Sequence, residues 1–255
     1  MLSDVAPAFC EFLEWDSRFF GRRIARLTLP RLAPEVATAV LAWCRTKQIA
    51  CLYFLADSDD SETTQLAAEH GFQLVDVRLT LEHGGPAEFA SSARSVEGSI
   101  RPFARADLSA LRGLAGRAHR DSRFFFDPHF SPARSQQLFE TWIEKSCNDH
   151  REQVFVAEVE GQPAGYVACQ IVNAQTGQIG LLGVDAVAQG RGVGTRLITS
   201  ALRWFAARGA TRVIVVTQGR NVRAQRLYQK CGFVTAALQL WYHRWFEVVP
   251  SGGRT

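Results

Sequence analysis

Three glycines at every second position, directly before a strongly periodic helical segment, limit the fold of this chain more than any other feature. They are Gly190, Gly192 and Gly194, and a predicted strand at 178–184 ends shortly before them. The first turn of the helix leaves backbone N–H groups unpaired at the positive end of the helix dipole. Because glycines allow a phosphate to approach those donors, the pattern predicts an anion-binding turn in an α/β protein.

Two better-known phosphate-binding loops do not match this turn. A dinucleotide fold uses Gly-x-Gly-x-x-Gly, whereas the spacing here is Gly-x-Gly-x-Gly followed directly by the helix. A Walker loop needs Lys beside Ser or Thr, and the three lysines of the chain lie elsewhere, at 47, 145 and 230. The sequence therefore predicts neither a Rossmann site nor a nucleotide hydrolase, and Arg191 and Arg196 either add charge at the turn or face solvent.

The composition is that of an ordinary globular protein. The chain has 255 residues, 47% hydrophobic and 21% charged, which corresponds to roughly 1.7 domains of average size. The longest apolar runs, such as 213–216 and 124–126, are far shorter than the roughly 18 residues of a membrane span. Residues 1–14 contain acidic residues and no basic stretch, which argues against a secretory signal. No membrane association is expected.

Charge and cysteine usage exclude further classes. The net charge is +4, from 26 arginines and 3 lysines against 25 acidic residues, and there is no run of five basic residues. No nucleic-acid partner is therefore expected, whereas a small anionic ligand is compatible with this charge. Six scattered cysteines include no Cys-x-x-Cys pair and no zinc spacing. This favours free thiols in a reducing cytoplasm and no metal site.

A stretch rich in Gly, Pro and Ser at 84–99 predicts a linker, and hence domains at 1–95 and 96–255. Periodicity and turn residues predict helices and strands on both sides of it. The predicted strands are 51–56, 74–81, 154–159, 165–172, 178–184, 212–217 and 233–246, with a hairpin turn at 160–163, and the predicted helices are 107–119, 133–147, 190–208 and 222–230.

The two predicted domains share an internal repeat with a constant offset of 161 residues. The matched anchors are Trp43 with Trp204, Gly71-Phe72 with Gly232-Phe233, and strand 52–55 with strand 213–216. Segment 36–81 is therefore interpreted as a diverged copy of segment 197–242. It lacks the glycine turn, and Ala67 stands opposite Tyr228.

The segment Gln189-Gly190-Arg191-Gly192-Val193-Gly194 resembles the signature of the GNAT N-acetyltransferase superfamily. A second element, Asn221-x-x-Ala224-x-x-x-Tyr228-x-x-x-Gly232-Phe233, follows at the family's spacing, and Ile100-Arg101-Pro102 resembles the usual start of the domain. The resemblance covers about 100–245. It implies an α/β (α+β) GNAT fold, a central, mostly antiparallel mixed sheet flanked by helices, with a smaller half-GNAT-like N-terminal domain.

The same resemblance implies acetyl-CoA as cosubstrate and assigns the site. Tyr228 would be the general acid, since a phenol with a pKa near 10 is roughly matched to a departing thiolate; its other interpretation is a packing residue. The residues implied to contact acetyl-CoA are Leu182, Gly183, Val184, Gln189, Gly190, Arg191, Gly192, Val193, Gly194, Thr195, Asn221 and Ala224. Among these, the backbone N–H groups of Gly183 and Val184 are candidates for polarising the thioester carbonyl.

A narrower resemblance spans nearly the whole chain and is carried by 15–21, 71–75, 122–124 and 142–144. It is to family members of surface-polysaccharide synthesis that acetylate the 4-amino group of a dTDP-linked 4-amino-4,6-dideoxyhexose. It implies a small nucleotide-sugar substrate and places an acidic residue, Asp76, at the position of a catalytic Glu that acts through water. Asp is one methylene shorter, and Asp76 is otherwise a solvated strand residue. The rival bases are His119 and His129.

Other interpretations stay open. The aromatic stretch 122–132 forms either loop core or a wall for the sugar methyl or the thymine, and Arg123 is a candidate for the diphosphate. The acceptor could instead be another small amine, an antibiotic or a protein N-terminus. An acyl-CoA-binding sensor without turnover is a non-enzymatic alternative, and a homodimer is also compatible.

Overall fold

The computed structural model describes residues 9–85 and 100–247, and contacts divide the chain into two compact units. The first unit is Met1–Arg78 with Leu238–Thr255, and the second is Leu79–Ala237. The units differ from the predicted limits of 1–95 and 96–255, because two long strands contribute residues to both. Of the predicted linker at 84–99, only 84 and 85 lie within the described residues, so the linker stays a prediction.

In the described residues, the first unit consists of a sheet and three helices, and most of its elements come from the N-terminal part of the chain. Its elements are β1 (Cys10–Phe12), α1 (Glu14–Phe20), β2 (Ile24–Leu27), α2 (Pro34–Thr46), β3 (Cys51–Asp57), α3 (Ser61–Glu69) and parts of β4 (Gln73–His83) and β10 (Val234–Trp245). The strand order is β1-β2-β3-β10-β4. β2 is antiparallel to β1 and parallel to β3, which is antiparallel to β10. Val40 and Cys44 of α2 pack with Leu52 and Phe54 of β3 in the core.

The second unit contains the remaining strands and α-helices. They are β5 (Ile100–Pro102), α4 (Leu108–Ala118), α5 (Arg123–Phe126), α6 (Pro132–Asn148), β6 (Glu152–Val159), β7 (Gln162–Asn173), β8 (Thr176–Val184), α7 (Val193–Ala206), β9 (Arg212–Gln218) and α8 (Val222–Lys230). The strand order is β10-β4-β9-β8-β7-β6-β5. β5 to β8 pair antiparallel in succession, and β8 pairs parallel with β9.

Alternation along β7 divides the second unit's core between the two faces of its sheet. Val167 and Cys169 pack in the cluster formed with α7 and α8, whereas Tyr166 and Ala168 pack in the cluster formed with α4 and α6. Successive strand residues point to opposite faces. Helices therefore cover both faces, which explains the predominantly apolar sequence of β7.

Most predicted elements of the second unit are present, with ends that differ by a few residues. The hairpin turn is shorter than predicted: Glu160 (φ 53°) and Gly161 (φ 74°) form a two-residue turn in the left-handed region. The sequence missed β1, α1, β2 and the four-residue helix α5. These elements are too short for a periodic pattern to identify.

The structure confirms the repeat. Adding 161 to the bounds of β3 and α3 gives the bounds of β9 and α8 without a residue's difference, and the first residue of β4 becomes the first residue of β10. Gly71 and Gly232 match as well, with φ of 73° and 86°. In the first unit β3 pairs with β10, and in the second unit β9 lies beside β4. The last strand of the later copy, β10, thus lies beside the first strand of the earlier copy, β3, and β4 lies beside β9 in the same way.

Three further observations concern the described residues as a set. No helix in 9–85 or 100–247 is long and apolar enough to cross a membrane. The same ranges contain no group of three or more His, Cys, Asp or Glu side chains arranged to hold a metal ion. All six cysteines lie in these ranges, none of them is part of a disulfide bond there, and four of them are buried.

Candidate active site

The strands β8 and β9 separate at the carboxyl end of their pairing. Their parallel register runs from Thr176 with Arg212 to Ile179 with Val215. β8 continues to Val184 and stays paired with β7, while β9 continues to Gln218. Gly180 is an extra residue in the β7–β8 register, and such a bulge bends a strand and increases its twist. The bulge therefore lies where β8 leaves β9.

The N–H groups of Leu182 and Val184 point into this opening. Asp185 donates its backbone N–H to the carbonyl oxygen of Ala164 at 2.8 Å, and bonded pairs alternate with non-bonded pairs along an antiparallel ladder. Gly183 therefore directs its N–H toward β7, and its two neighbours direct theirs away from it. Of the two predicted donors, Val184 therefore directs its N–H into the opening and Gly183 does not, whereas Leu182, predicted only as a contact residue, does.

The glycine turn has the backbone conformation that requires glycine. Gly190 and Gly192 have φ of 76° and 74°, and a Cβ added at Gly190 would have no atom within 4 Å. Gly192 is the N-cap of α7, so no side chain caps the helix, and its first turn contains no acidic residue. The N–H groups of the first turn, 193–195, thus remain available to an anion.

Two arginines, Arg191 and Arg196, lie at this turn. Arg196 donates from its guanidinium to the backbone carbonyl oxygen of Arg191 at 3.1 Å, which holds the Arg196 guanidinium at the turn. Arg191 also lies 3.9 Å from Glu160, but both side chains are exposed, and such ion pairs contribute little. Positive charge, bare N–H groups and open space above Gly190 therefore coincide.

The other predicted residues of the turn have packing roles. A Cβ at Gly194 would lie 2.7 Å from Cδ2 of Leu227 on α8. Val193 is buried in the core. The Thr195 side chain is hydrogen-bonded to the Cys231 thiol, whose pKa is raised by burial. These three residues fix the start of α7 against α8.

The Gln189 side chain closes the turn onto β8. Its Nε2 donates to the carbonyl oxygen of Val184 at 3.0 Å, and its Oε1 accepts from Arg223 of α8. Sequence reasoning missed Arg223. The signal available was its place two residues after Asn221, on the first turn of the motif helix.

The second motif positions α8. Asn221 is its N-cap and accepts from the backbone N–H of Ala224 at 3.0 Å. Gln225 donates to the carbonyl oxygens of Gln218 and Gly219 at 3.0 and 2.8 Å. The start of α8 is therefore fixed to the end of β9, on the other side of the opening from β8.

Tyr228 lies on α8 in the core cluster of this unit. It is 5% exposed, and its ring centroid lies 5.7 Å from that of Phe233. Burial raises the pKa of its phenol, because desolvation disfavours the phenolate. The hydroxyl is thus kept protonated, as a general acid must be before it acts. The raised pKa also makes it a weaker acid than the phenol with a pKa near 10 for which the match to a thiolate is predicted.

The C-terminal end of α4 is connected to the end of β8. His119 Nε2 and the Tyr166 hydroxyl are hydrogen-bonded at 2.7 Å, and a Cβ at Gly183 would lie 2.8 Å from the Tyr166 ring. Arg117 pairs with Asp185 at 3.1 Å. Burial lowers the pKa of His119 to about 4, so its imidazole is neutral near pH 7. Sequence reasoning missed Tyr166, because it lies within the apolar run of a predicted strand and nothing in the sequence distinguishes it from its neighbours.

The remaining candidate bases lie apart in the chain. His129 Nδ1 is 2.8 Å from Oδ1 of Asp127, a carboxylate that is 1% exposed. Asp76 lies on β4, is 5% exposed and accepts from the backbone N–H of Val77 at 2.9 Å. Asp76 is thus buried, and the alternative prediction that it is a solvated strand residue is wrong. Asp76 belongs to the first unit, and every other predicted site residue belongs to the second.

The family model for the acetyltransferase (GNAT) family matches residues 117–233. The dTDP-fucosamine acetyltransferase of Escherichia coli O6:H1 is 32% identical over 93% of this chain and 98% of its own length. This chain therefore belongs to the GNAT family of acetyltransferases, and it is an acyltransferase with the GNAT fold that its motifs predict.

Two further proteins, one relative in sequence and one in structure, are similar to this chain. The spore coat polysaccharide biosynthesis protein SpsD of Bacillus subtilis is 27% identical over 54% of this chain, which spans 48% of that relative. The structure of a GCN5-related N-acetyltransferase from Sphaerobacter thermophilus aligns with a TM-score of 0.62 at 14% identity, covering 92% of this chain and 76% of that one. The second likeness concerns the fold.

Proposed function

We propose that this enzyme transfers the acetyl group of acetyl-CoA to the 4-amino group of a dTDP-linked 4-amino-4,6-dideoxyhexose. The observation that carries the donor half is the separation of β8 and β9 beside the uncapped N-terminus of α7. The acceptor half is supported by the E. coli relative, whose name states dTDP-fucosamine and whose similarity extends through both units.

In this proposal the chain first binds and orients the donor, which supplies an activated acyl carbon. The N–H groups of 193–195 with Arg191 and Arg196 hold the pyrophosphate. The N–H groups of Leu182 and Val184, already aimed into the opening, donate to the thioester carbonyl oxygen as negative charge develops there. Asn221 and Ala224 contribute by fixing the start of α8 beside the pantetheine arm.

Proton transfers complete the reaction. The neutral amine nitrogen bonds to the acyl carbon and gives up one proton to a base, the C–S bond breaks, and the thiolate takes a proton from Tyr228. The proton held by the base then restores the phenol through solvent. Asp76 is the proposed base, on the resemblance to the nucleotide-sugar enzymes. His119 is less suited, because its Nε2 is bonded to Tyr166 and its pKa lies near 4.

A thiol-release assay tests the proposal. The full chain is mixed with acetyl-CoA and a panel of amines: dTDP-linked 4-amino-4,6-dideoxyhexoses of both C4 configurations, the corresponding free sugars, small amines and peptide N-termini. We expect turnover with a dTDP-linked sugar and a kcat/KM at least about 100-fold lower with the free sugar, as when ionic contacts are lost. Turnover of a peptide or a small amine alone would overturn the acceptor assignment.

A cytoplasmic location and a homodimer belong to the same proposal. Sedimentation velocity of the purified chain tests the homodimer, and cell fractionation tests the location.

A further inference from the structure

Three consecutive phenylalanines of α5 each have a guanidinium group stacked on the ring. This Arg–Phe cluster consists of Arg120 over Phe125 (4.6 Å from Cζ to ring centroid), Arg123 over Phe124 (4.2 Å) and Arg220 over Phe126 (3.9 Å). Two of these arginines come from the segment between α4 and α6, and the third comes from the loop between β9 and α8. The cluster therefore joins two parts of the second unit.

The cluster lies beside the opening between β8 and β9. At its start, the end of α4 is connected to the end of β8 by the ion pair of Arg117 with Asp185. His119 is also hydrogen-bonded to Tyr166 of β7, whose ring packs against Gly183 of β8. At its other side, Arg220 directly precedes the N-cap of α8 and donates to the carbonyl oxygen of Asp121 at 3.3 Å. A ligand held by the cluster would thus lie next to the proposed acetyl position.

The chemistry of the cluster suits an anion that carries a flat ring. A stacked guanidinium uses its face and keeps its N–H groups at the edge, where they can donate in pairs to phosphate. Arg120 is exposed and has no carboxylate partner in the described parts of the chain. Asp127, the buried carboxylate of this segment, is paired with His129.

The ring for stacking is Phe126, which is 55% exposed although it is a large apolar side chain. With Arg220 on it, this ring forms a platform with positive charge at its edge. A pyrimidine base linked to a diphosphate combines the two features that such a platform binds.

We propose that the Arg–Phe cluster binds the nucleoside diphosphate half of the acceptor, with its guanidinium edges on the diphosphate and Phe126 against the base. This inference rests on the proposed function, because it assigns the part of the acceptor that does not react. The cluster would set the affinity for the nucleotide and hold the amine beside the opening.

The test compares Arg220→Gln with Arg208→Gln. Arg208 is a matched control, since its guanidinium also stacks on an aromatic ring, that of Trp204 at 4.1 Å, but at the far end of α7. We measure dTDP binding to the CoA-saturated enzyme by calorimetry, and KM separately for each substrate. Arg220→Gln is expected to weaken dTDP binding and raise the KM of the dTDP-sugar by about 10–100-fold, with the KM of acetyl-CoA within twofold of wild type.

Arg120→Gln gives a second readout if Arg220→Gln does not fold, because Arg120 is exposed and the described contact of its guanidinium is to one ring. Equal dTDP affinity in wild type and in both cluster variants would overturn the inference, as would a wild type that does not bind dTDP. The acceptor panel judges the proposed function independently: acetylation of dTDP-sugars with unchanged kinetics in the cluster variants would refute the cluster alone.

Discussion

Leu227 occupies the space into which any side chain at position 194 would project, with its Cδ2 2.7 Å from the place of a Cβ on Gly194. The contact joins the first turn of α7 to α8, the helix that carries Tyr228. Gly194 is therefore required by helix packing, whereas Gly190 and Gly192 are required by their left-handed backbone.

Gly194→Ala is expected to destabilise the protein by about 1–2 kcal/mol, because the extra methyl overpacks the helix contact. Leu227→Ala removes the obstacle. The double variant should therefore cost less than the sum of the single changes by at least about 0.5 kcal/mol. Urea unfolding of the four proteins measures this coupling, and strictly additive costs would show that the two side chains do not compete for the space.

Tyr228→Phe removes the proposed acid and keeps the ring in the core. We expect kcat to fall by about 10–10³-fold, while coenzyme A binds with nearly unchanged affinity. Rapid-quench measurement of the acetyl-transfer step ensures that chemistry is observed. Full turnover in this variant, with chemistry rate-limiting, would exclude the phenol as the acid.

Asp76→Asn tests the proposed base. Loss of a general base lowers kcat by about 100-fold or more, and Asp76→Glu should retain most of the activity, because it restores the carboxylate. Normal turnover in Asp76→Asn together with loss in His129→Gln would assign the base to the histidine.

His119 makes stability depend on pH. Its folded pKa of about 4 lies below its usual value of 6.5, so between these values the unfolded chain binds the proton and the native chain does not. The contribution of His119 is fully present above pH 6.5 and declines as the pH falls to 4, by at most about 3 kcal/mol. Below pH 4 it declines no further.

Urea unfolding from pH 4 to 7 checks this. The difference in unfolding free energy between wild type and His119→Gln should shrink as the pH falls. His150→Gln is the control, because that side chain is 94% exposed. A difference that is constant with pH would mean that His119 titrates normally in the folded protein.

The sequence predicts much of the second unit because its signals are local. Glycine spacing locates the start of α7, apolar periodicity locates α7 itself, and the repeat offset locates β3 and α3 from β9 and α8. Each signal reports on residues that are neighbours along a helix or strand. The same signals cannot show that β10 pairs with β3, because strand pairing depends on residues far apart in the chain.

The candidate site divides in the same way. Backbone donors at 193–195 follow from the motif, since any helix exposes its first N–H groups. The hydrogen bonds of the Gln189 and Asn221 side chains do not follow from the motif, because each of them closes a turn whose geometry only the structure shows. The stacking of Arg220 on Phe126 joins residues 94 positions apart, and the chain contains 26 arginines from which to choose.

Calorimetric titration with coenzyme A most directly tests the central claim, that the turn at 189–195 binds the pyrophosphate. Gly190→Asp places a carboxylate in the open space at the turn, and Gly209→Asp does the same at the other end of α7, where φ is 77° and a Cβ would also meet no atom within 4 Å. Both positions have the same left-handed backbone, so the strain of replacing glycine is matched in the two variants, and Asp adopts this conformation more readily than most side chains. The account predicts saturable binding to wild type and to Gly209→Asp, and at least about 10-fold weaker binding to Gly190→Asp. Equal affinity in all three proteins would contradict it.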